Sequence, residues 1–402
     1  MTPTGRADLA QPPHRGGTAL RPTTLAEARD AVRDTPGALV FRGGGTKQDW
    51  GAPPERVDAV IETAGLGELT EHSAGDMVAI AGAGMRLSTL REALAPSGQW
   101  LAVDPPLMDE GATLGGAFAT NDHGPRRLRY GTLRDLVIGI TVALADGTVA
   151  RSGGRVVKNV AGYDLMRLYC GSLGTLGLVT ELIVRLHPLP EASLTARVPG
   201  QVAALSGLVL ALLASPIEPT ALDVAAGALW VRLEGRPAGI AARGEALSRL
   251  AADHGLDVTD RIEGAEEAGA WRSLAAAHAG AEGETVARAA TLPDHLPRAA
   301  AALAEAAAQA EAEARLASHA ALGLHTARLS GDPAAQAAAV RDWRGRITAL
   351  GGTVTLRRRA PGLESPADVF GPPPSAIGVM RRVKAQLDPD RRCAPGRFVG
   401  GI

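Results

Sequence analysis

Cysteine is almost missing from this 402-residue chain: only Cys170 and Cys393 occur, far apart and in unrelated contexts. With no C-x-x-C, the chain cannot itself hold a thiolate zinc site or an iron–sulfur cluster, and a reducing cytosol is the expected compartment. Neither sign of charge is in excess. A formal net charge of −1 gives no reason to expect nucleic acid or an anionic membrane surface as partner. No apolar run is long enough to span a bilayer, since the longest, from Val202 to Ala214, is interrupted by Ser206 and Gly207. The opening residues, MTPTGRADLAQPPHRGG, lack the apolar core of a signal peptide or anchor. Aromatics make up 3% of residues, so the cores must be built from aliphatic side chains and alanine. The length suits two or three domains, because single cores rarely grow past about 250–300 residues.

Patterning divides the chain. Residues 1–20 read as a disordered N-terminus. Thr23 or Thr24 caps a helix through LAEARDAVRD, which Pro36 and Gly37 end. The strand GALVFRG, a glycine loop and the strand VDAVIET follow. Next come a strand in MVAIAGAGM and a helix in RLSTLREALAPSG with Ser88 as cap. LVIGITVALADGTVARSGG reads as a hairpin whose Asp146-Gly147 signals a type I′ turn, and LGLVTELIVRLHPLP as a strand closed by Pro188 and Pro190. Regular βαβ alternation is missing. Near residue 196 the composition shifts to alanine-rich helical segments at 200–215, 237–253 and 296–317. Between them lie strand candidates, ALDVAAGALWVRLEG, LHTARLS and GGTVTLRRR. Helices alternating with hairpins predict a smaller ferredoxin-like α/β domain. The run 297–321 reads as one helix, and the tail carries an amphipathic helix stopped by Pro389.

Glycine, by contrast, is clustered. FRGGGTKQDWG fails as a P-loop, because its lysine follows Thr46 and precedes Gln48. It also fails as a Rossmann turn, because Gln48 takes the third glycine's place and Pro53 and Pro54 forbid a helix behind it. An anion held here would need a nest of backbone N–H groups, with Thr46 and either Arg42 or Lys47 nearby. A tight turn between strands would account for this stretch taken alone. Two more glycine/threonine stretches change the balance. ATLGGAFATNDHGPRRLRYG places Gly115 and Gly116 among small residues, and GSLGTLGLVTE places Gly171, Gly174 and Gly177 around Thr175. Three such loops beside strands imply one extended ligand lined mainly by main chain, and a dinucleotide has the right length and central charge.

The trio resembles the FAD-binding domain of the vanillyl-alcohol-oxidase / p-cresol-methylhydroxylase (PCMH) type, over about residues 20–190. Within it RGGGTKQDWG, GQWLAVDPP, GPRRLRYGTLRDLVIG and GGRVVKNVAGYDLMRLYCGSLGTLG closely resemble the FAD-binding subunits of bacterial glycolate oxidases, and PGRFVGG at the end suits the likeness. The resemblance implies an α+β fold. A two-subdomain PCMH-type FAD-binding domain over 21–192 is followed by a ferredoxin-like cap over 196–370 and a C-terminal helix and tail over 371–402. It implies FAD held by Arg42, Gly43, Gly44, Gly45, Thr46 and Lys47 in the first loop. Pro105, Thr113, Gly115, Gly116, Thr120 and Asn121 serve along the flavin, and Gly171, Gly174, Thr175, Gly177 and Val179 in the last loop. Thr46 stands where some relatives carry a flavin-linking histidine, so the FAD is expected to be non-covalent. The implied partners are a catalytic flavoprotein subunit and an iron–sulfur subunit, with the assembly at the cytoplasmic face of the inner membrane.

The catalytic equipment looks reduced. Oxidising a 2-hydroxy acid asks for a base, and for a cation to hold the carboxylate. Catalytic relatives resemble one another in H-x-G-D-G-N-x-H and E-H-G-x-G motifs. This chain has no E-H-G, and its nearest approach to the first is SHAALGLHTARL, with His319 and His325 but no adjacent carboxylate. That pair reads as ordinary strand residues before a metal site, and no metal is expected. Leu173 replaces the glutamate of the relatives' last loop. Arg126, Arg127 and Arg129 read as structural or pyrophosphate-supporting, Arg357–Arg359 as a solvated edge, and His123 as a surface or loop-stabilising histidine. No catalytic residue is assigned. A self-sufficient dehydrogenase using His123, Arg126 or His325, or an FAD-free scaffold, remain the competing readings.

Overall fold

The computed structural model describes residues 18–155, 163–363 and 369–402, so most of the expected disordered N-terminus lies outside the described residues. The first domain opens with β1 (Thr18–Leu20), α1 (Leu25–Asp34), β2 (Leu39–Arg42) and β3 (Ala59–Glu62). Thr24 caps α1 by accepting from the Glu27 N–H, and Glu27 accepts in return from the Thr23 N–H, so two otherwise unpaired donors are satisfied together. Ala28 and Val32, four apart on α1, bury against Leu39, Ala59 and Ile61 of a parallel sheet ordered β1-β3-β2.

A second sheet, ordered β4-β5-β9-β7-β8, is antiparallel. Its strands are β4 (Leu69–Ser73), β5 (Val78–Gly82), β7 (Val137–Ala143), β8 (Val149–Gly153) and β9 (Leu178–Arg185). In β9 burial alternates along the strand, so Leu178, Thr180, Leu182 and Val184 face the core. Between β5 and β7 lie α2 (Leu87–Leu94), β6 (Gln99–Trp100), α3 (Leu114–Thr120), α4 (Arg127–Tyr130) and α5 (Leu133–Leu136). Helix α6 (Met166–Tyr169) precedes β9, and β10 (His187–Pro188) pairs with β6. Leu90, Leu94, Phe118, Leu133 and Leu182 fill the space between sheet and helices.

Two local expectations are corrected here. Ser88 lies inside α2, whose N-cap is Arg86 without a side-chain cap bond, because a bridge from Arg86 to Thr113 sets where the helix begins. The β7–β8 turn is not type I′. Only Gly147 has positive φ (84°), and its N–H donates to the Leu144 carbonyl at 2.9 Å, giving a type I turn closed by a left-handed glycine.

The cap is one eight-stranded antiparallel sheet ordered β14-β11-β13-β12-β16-β17-β15-β18. Its first half runs β11 (Ala192–Pro199), α7 (Val202–Leu213), β12 (Ala221–Ala225), β13 (Ala228–Gly235), α8 (Pro237–Asp253) and β14 (Asp260–Ile262). Helix α9 (Gly264–Ala279) leads to the second half: β15 (Thr285–Ala290), α10 (Leu296–Ala310), β16 (Glu313–His319), β17 (Leu324–Ser330), α11 (Pro333–Ala349) and β18 (Thr353–Arg358). Each half is a βαββαβ unit, so the expected ferredoxin-like character is present twice, joined edge to edge through β12 and β16. The run 297–321 is therefore not one helix. Glu311 turns left-handed (φ 55°) after α10, and Glu313–His319 is drawn into the sheet between β12 and β17, tertiary pairing overriding alanine's helical preference.

The tail returns to the first domain. Helix α12 (Ile377–Leu387) stops before Pro389, and residues 392–394 run beside β2, with the Leu39 N–H donating to the Arg392 carbonyl (2.7 Å) and the Ala394 N–H to the Leu39 carbonyl (2.8 Å).

Candidate functional site

The three glycine loops meet. The first leaves β2, the second enters α3, and the third enters β9, and they wall one open cleft. Arg42, Gly43, Gly44, Gly45, Thr46, Lys47, Thr113, Gly115, Gly116, Thr120, Gly174, Gly177 and Val179 all line it. Four sequence candidates stand elsewhere. Pro105 is buried in the turn that supports Met108, and Asn121 is the left-handed C-cap of α3 (φ 47°). Gly171 donates its N–H to the Phe118 carbonyl (3.0 Å) and faces a neighbouring cavity. Thr175 is buried, with its hydroxyl on the Ser172 carbonyl (2.8 Å).

Close packing behind the loops explains the glycines. A Cβ on Gly43 would meet Thr113 Oγ1 at 2.2 Å, one on Gly44 the Gly111 carbonyl oxygen at 1.8 Å, and one on Gly115 the Ala83 side chain at 2.6 Å. Gly45 is different, with φ +74° and open space where a side chain would go. Ala119, among the small residues beside Gly115 and Gly116, and Leu173 of the last loop also line the cleft, while sequence reading missed Ala83, Ser172 and Arg397. The glycine beside it was a usable signal for Ala83. Arg397 arrives from the far end of the chain and had none.

The cleft suits an extended anion with flat ends. Among the described residues no carboxylate lines it, while Arg42, Lys47 and Arg397 do. Arg42 is paired with Glu62 and buried Lys47 with Asp122 (3.3 Å). Arg397 donates to the Gln48 carbonyl (2.8 Å), and its Nε is sealed without a partner. No histidine, cysteine or tyrosine lines the cleft among the described residues.

At the boundary between the first domain and the cap lies a second cavity, sharing Thr120 and Leu173 with the cleft and walled by Trp50, Arg357, Phe370 and Phe398. Arg357 is thus not a solvated edge residue: its guanidinium stacks on Trp50 at 3.8 Å, and desolvation lowers its pKa to about 9. Arg126 and Arg129 tie the domains together through Glu234 (2.5 Å) and Glu218 (3.3 Å), a structural role. Neither, nor Arg127, lines the cleft. His123 is buried rather than on the surface. Its Nδ1 bonds the Asn121 carbonyl (2.8 Å), and Arg127 Nη1 lies 3.0 Å from its Nε2.

His319 and His325 do not come together, because β16–β17 register puts Ser318 opposite His325 and His319 opposite Leu324. His319 instead joins Asp223 (3.2 Å), which also accepts from His278 (3.0 Å), the two rings stacked at 3.9 Å. Their ligand atoms lie within 4.8 Å of one another. A buried carboxylate therefore does stand beside His319, contrary to expectation. Asp223 and His278 are separated too far along the chain for any local pattern to announce them.

These buried histidines fix a pH response. Burial pushes His319 down to about 3 and His325 down to about 4; burial, then Arg288 and Arg127 beside it, push His123 well below its ordinary value. The unfolded chain takes up these protons near pH 6.5 and the folded chain does not, so their stabilisation is present above pH 6.5 and lost as pH falls towards 4. Asp104 opposes this. Burial raises it to about 6 against the attraction of Arg126, so its contribution grows as pH falls from 6 to 4. Three groups outweigh one, and urea midpoints are expected to fall between pH 7 and pH 4.5. His325→Asn should remove about 2–3 kcal/mol of that pH-dependent loss. A midpoint independent of pH over this range contradicts the assignment.

The fold has the PCMH-type architecture, and the expected α+β class holds. Residues 18–153 match the family model of the FAD binding domain, and FAD is the cofactor of this domain. The chain is 35% identical over 224 residues to the glycolate oxidase subunit GlcE of Escherichia coli, a match covering 56% of this chain and 63% of that protein. It is 42% identical over 150 residues to a D-lactate dehydrogenase of Archaeoglobus fulgidus, and 40% over 157 to the glycolate oxidase subunit GlcD of Bacillus subtilis. Those matches cover 37% and 39% of this chain and 33% of each relative. The resemblance read from the sequence is thus borne out. The aligned part nevertheless spans about a third to two thirds of these relatives. Among solved structures, p-cresol methylhydroxylase superposes with a TM-score of 0.73 at 14% identity, covering 94% of this chain and 88% of that one. An alkyldihydroxyacetonephosphate synthase gives 0.73 at 17%, covering 94% and 75%. At such identities they speak for the fold alone.

Proposed function

We propose that the chain is the FAD-binding subunit of a heteromeric glycolate oxidase that converts glycolate to glyoxylate, supporting or relaying electrons for a catalytic flavoprotein partner. An iron–sulfur subunit would carry electrons onward. The observation that carries this reading is the convergence of the three loops on one cleft in a chain 35% identical to GlcE. The FAD would lie against Gly43–Lys47, the first turn of α3 and Gly174–Val179, held non-covalently, since no histidine, cysteine or tyrosine among the described residues lines the cleft. When bound, the flavin supplies a two-electron acceptor for a CH–OH group. The chain's own residues do the rest. Backbone N–H groups and Arg42, Lys47 and Arg397 offset the pyrophosphate charge, while Leu173 and Ala119 exclude water from the wall. Among the described residues no helix is long and apolar enough to cross a membrane, and attachment at the inner membrane would come through partners.

A self-sufficient 2-hydroxy-acid dehydrogenase is the second reading, favoured by the buried His123 facing Arg127 beneath the cap. Anaerobic addition of glycolate or D-lactate to the purified yellow chain separates the two. Bleaching only after the partner subunits are added supports the first, and bleaching of the chain alone supports the second.

A further inference from the structure

The domain boundary holds more guanidinium groups than carboxylates to pair with them. Arg288, on β15, is buried, and its side chain's nearest hydrogen-bonding neighbour is His123 Nε2 at 3.4 Å. Arg127 points at the same nitrogen from 3.0 Å. Arg357, on β18, has its Nε sealed from solvent with no hydrogen-bond partner. Among the described residues none of these three makes an ion pair. The carboxylates nearest Arg288 are Asp122, which accepts from the His123 N–H and lies 3.3 Å from Lys47 through an oxygen that makes no hydrogen bond, and Asp223, which is held by His278 and His319. His123 cannot supply the missing charge. Its Nδ1–H donates to the Asn121 carbonyl, which leaves only the Nε2 lone pair for both guanidiniums.

Strand pairing brings two of these groups near one another. Arg288 pairs with Thr355, and Arg357 lies two residues on along β18, where the β15–β18 register shifts, close enough for the Arg288 charge to act on it. Arg357, unlike Arg288 and Arg127, also walls the cavity that adjoins the cofactor cleft. Asp122 attracts both Arg288 and Arg357 without pairing with either, and a buried cation that no carboxylate contacts is costly to the folded chain unless something anionic joins it. The planar fork of arginine matches a carboxylate in two-point contact.

We propose that Arg288 and Arg357, with Arg127 beside them, form an anion site that takes a small carboxylate from the cavity walled by Trp50, Phe370 and Phe398. Resting on the glycolate reading above, the carboxylate is that of the 2-hydroxy acid or its 2-oxo product, so this chain itself holds substrate or product. The surrounding aromatic rings leave room for a short carbon skeleton and disfavour a hydrated inorganic ion.

The test uses the full-length FAD-loaded chain, with oxalate, glycolate and glyoxylate as probes and chloride and phosphate as controls. Binding is read by the shift in melting temperature and by perturbation of the flavin spectrum. The carboxylates should raise the melting temperature of the wild type, and Arg357→Met and Arg288→Met should each weaken binding at least tenfold. Without ligand, Arg357→Met should melt no lower than the wild type, because an unpaired charge has been removed; a merely structural arginine would lower it. Should Arg357→Met fail to fold, Arg357→Lys, which keeps the charge but loses the fork, must still weaken oxalate. Equal binding by wild type and variants, no carboxylate effect on the wild type, or equal response to chloride and phosphate overturns the proposal. If oxalate binds and depends on Arg357 while glycolate never reduces the flavin even with partners present, the anion site stands and the glycolate reading falls.

Discussion

Replacing Gly44 by valine is expected to strip the protein of FAD, reducing flavin occupancy after purification at least tenfold. The added Cβ would lie 1.8 Å from the Gly111 carbonyl oxygen, a backbone atom with no rotamer to retreat into, so the whole first loop must lift from the segment behind it. Overpacking of this kind costs about 1–3 kcal/mol or more, and about 1.4 kcal/mol already weakens binding tenfold. The cap should be untouched, because its cores are built from its own strands and helices, around Leu229 and Val231 in one half and Trp343 and Leu329 in the other. Gly45→Ala is the control. Nothing lies within 4 Å of its Cβ position, so only the left-handed conformation is penalised, by about 1–2 kcal/mol, and more flavin should be kept than in Gly44→Val. Flavin absorbance per mole of protein reads both variants.

The second large effect is expected from Lys384, far from the loops in sequence. Its ammonium group is buried and donates to the Thr175 carbonyl (2.7 Å), the Cys393 carbonyl (2.9 Å) and Asp388 (2.5 Å), which in turn accepts from the Arg392 and Cys393 N–H groups. Lys384→Met leaves Asp388 as a buried, uncompensated charge and should cost about 3–5 kcal/mol in denaturant unfolding. It should also weaken FAD binding, because the Thr175 loop and Arg397 both depend on the tail being seated. Lys384→Met combined with Asp388→Asn should recover part of the loss. A single variant within 1 kcal/mol of wild type would show that the tail is an accessory to the fold rather than part of it.

Sequence reading reached the cleft because its walls are made by local patterns. Three glycine clusters, each next to a strand, are visible as text, and prolines 53 and 54 ruled out a helix behind the first. What glycine does there was less legible. In the sequence Gly43–Gly45 read as access for a ligand. In the structure Gly43 and Gly44 are required by what packs behind the loop, and only Gly45 presents an open side. The second loop also proved to be the first turn of a helix, with Thr113 accepting from the Gly116 N–H (3.2 Å).

The cap resisted reading for a different reason. Its alanine-rich strands carry a helical propensity that only sheet neighbours override, as in β16. Its chemistry is assembled from distant elements. Asp223, His278 and His319 come from β12, α9 and the end of β16, and Arg288 and Arg357 from the adjacent strands β15 and β18, the latter at the sheet edge. The RRR run at 357–359 looked solvated because alternation along a strand says which residues share a face, not what covers that face. Trp50, from the first loop's far end, is what covers Arg357.

The account turns on FAD lying non-covalently in the cleft formed by the three glycine loops. The most direct measurement is to purify the full chain, record its flavin spectrum, precipitate the protein with acid, and identify and quantify the flavin in the supernatant. One FAD released per chain, and lost from Gly44→Val, is the predicted result. A colourless protein that added FAD does not reconstitute, or a flavin that stays with the precipitate, would contradict it.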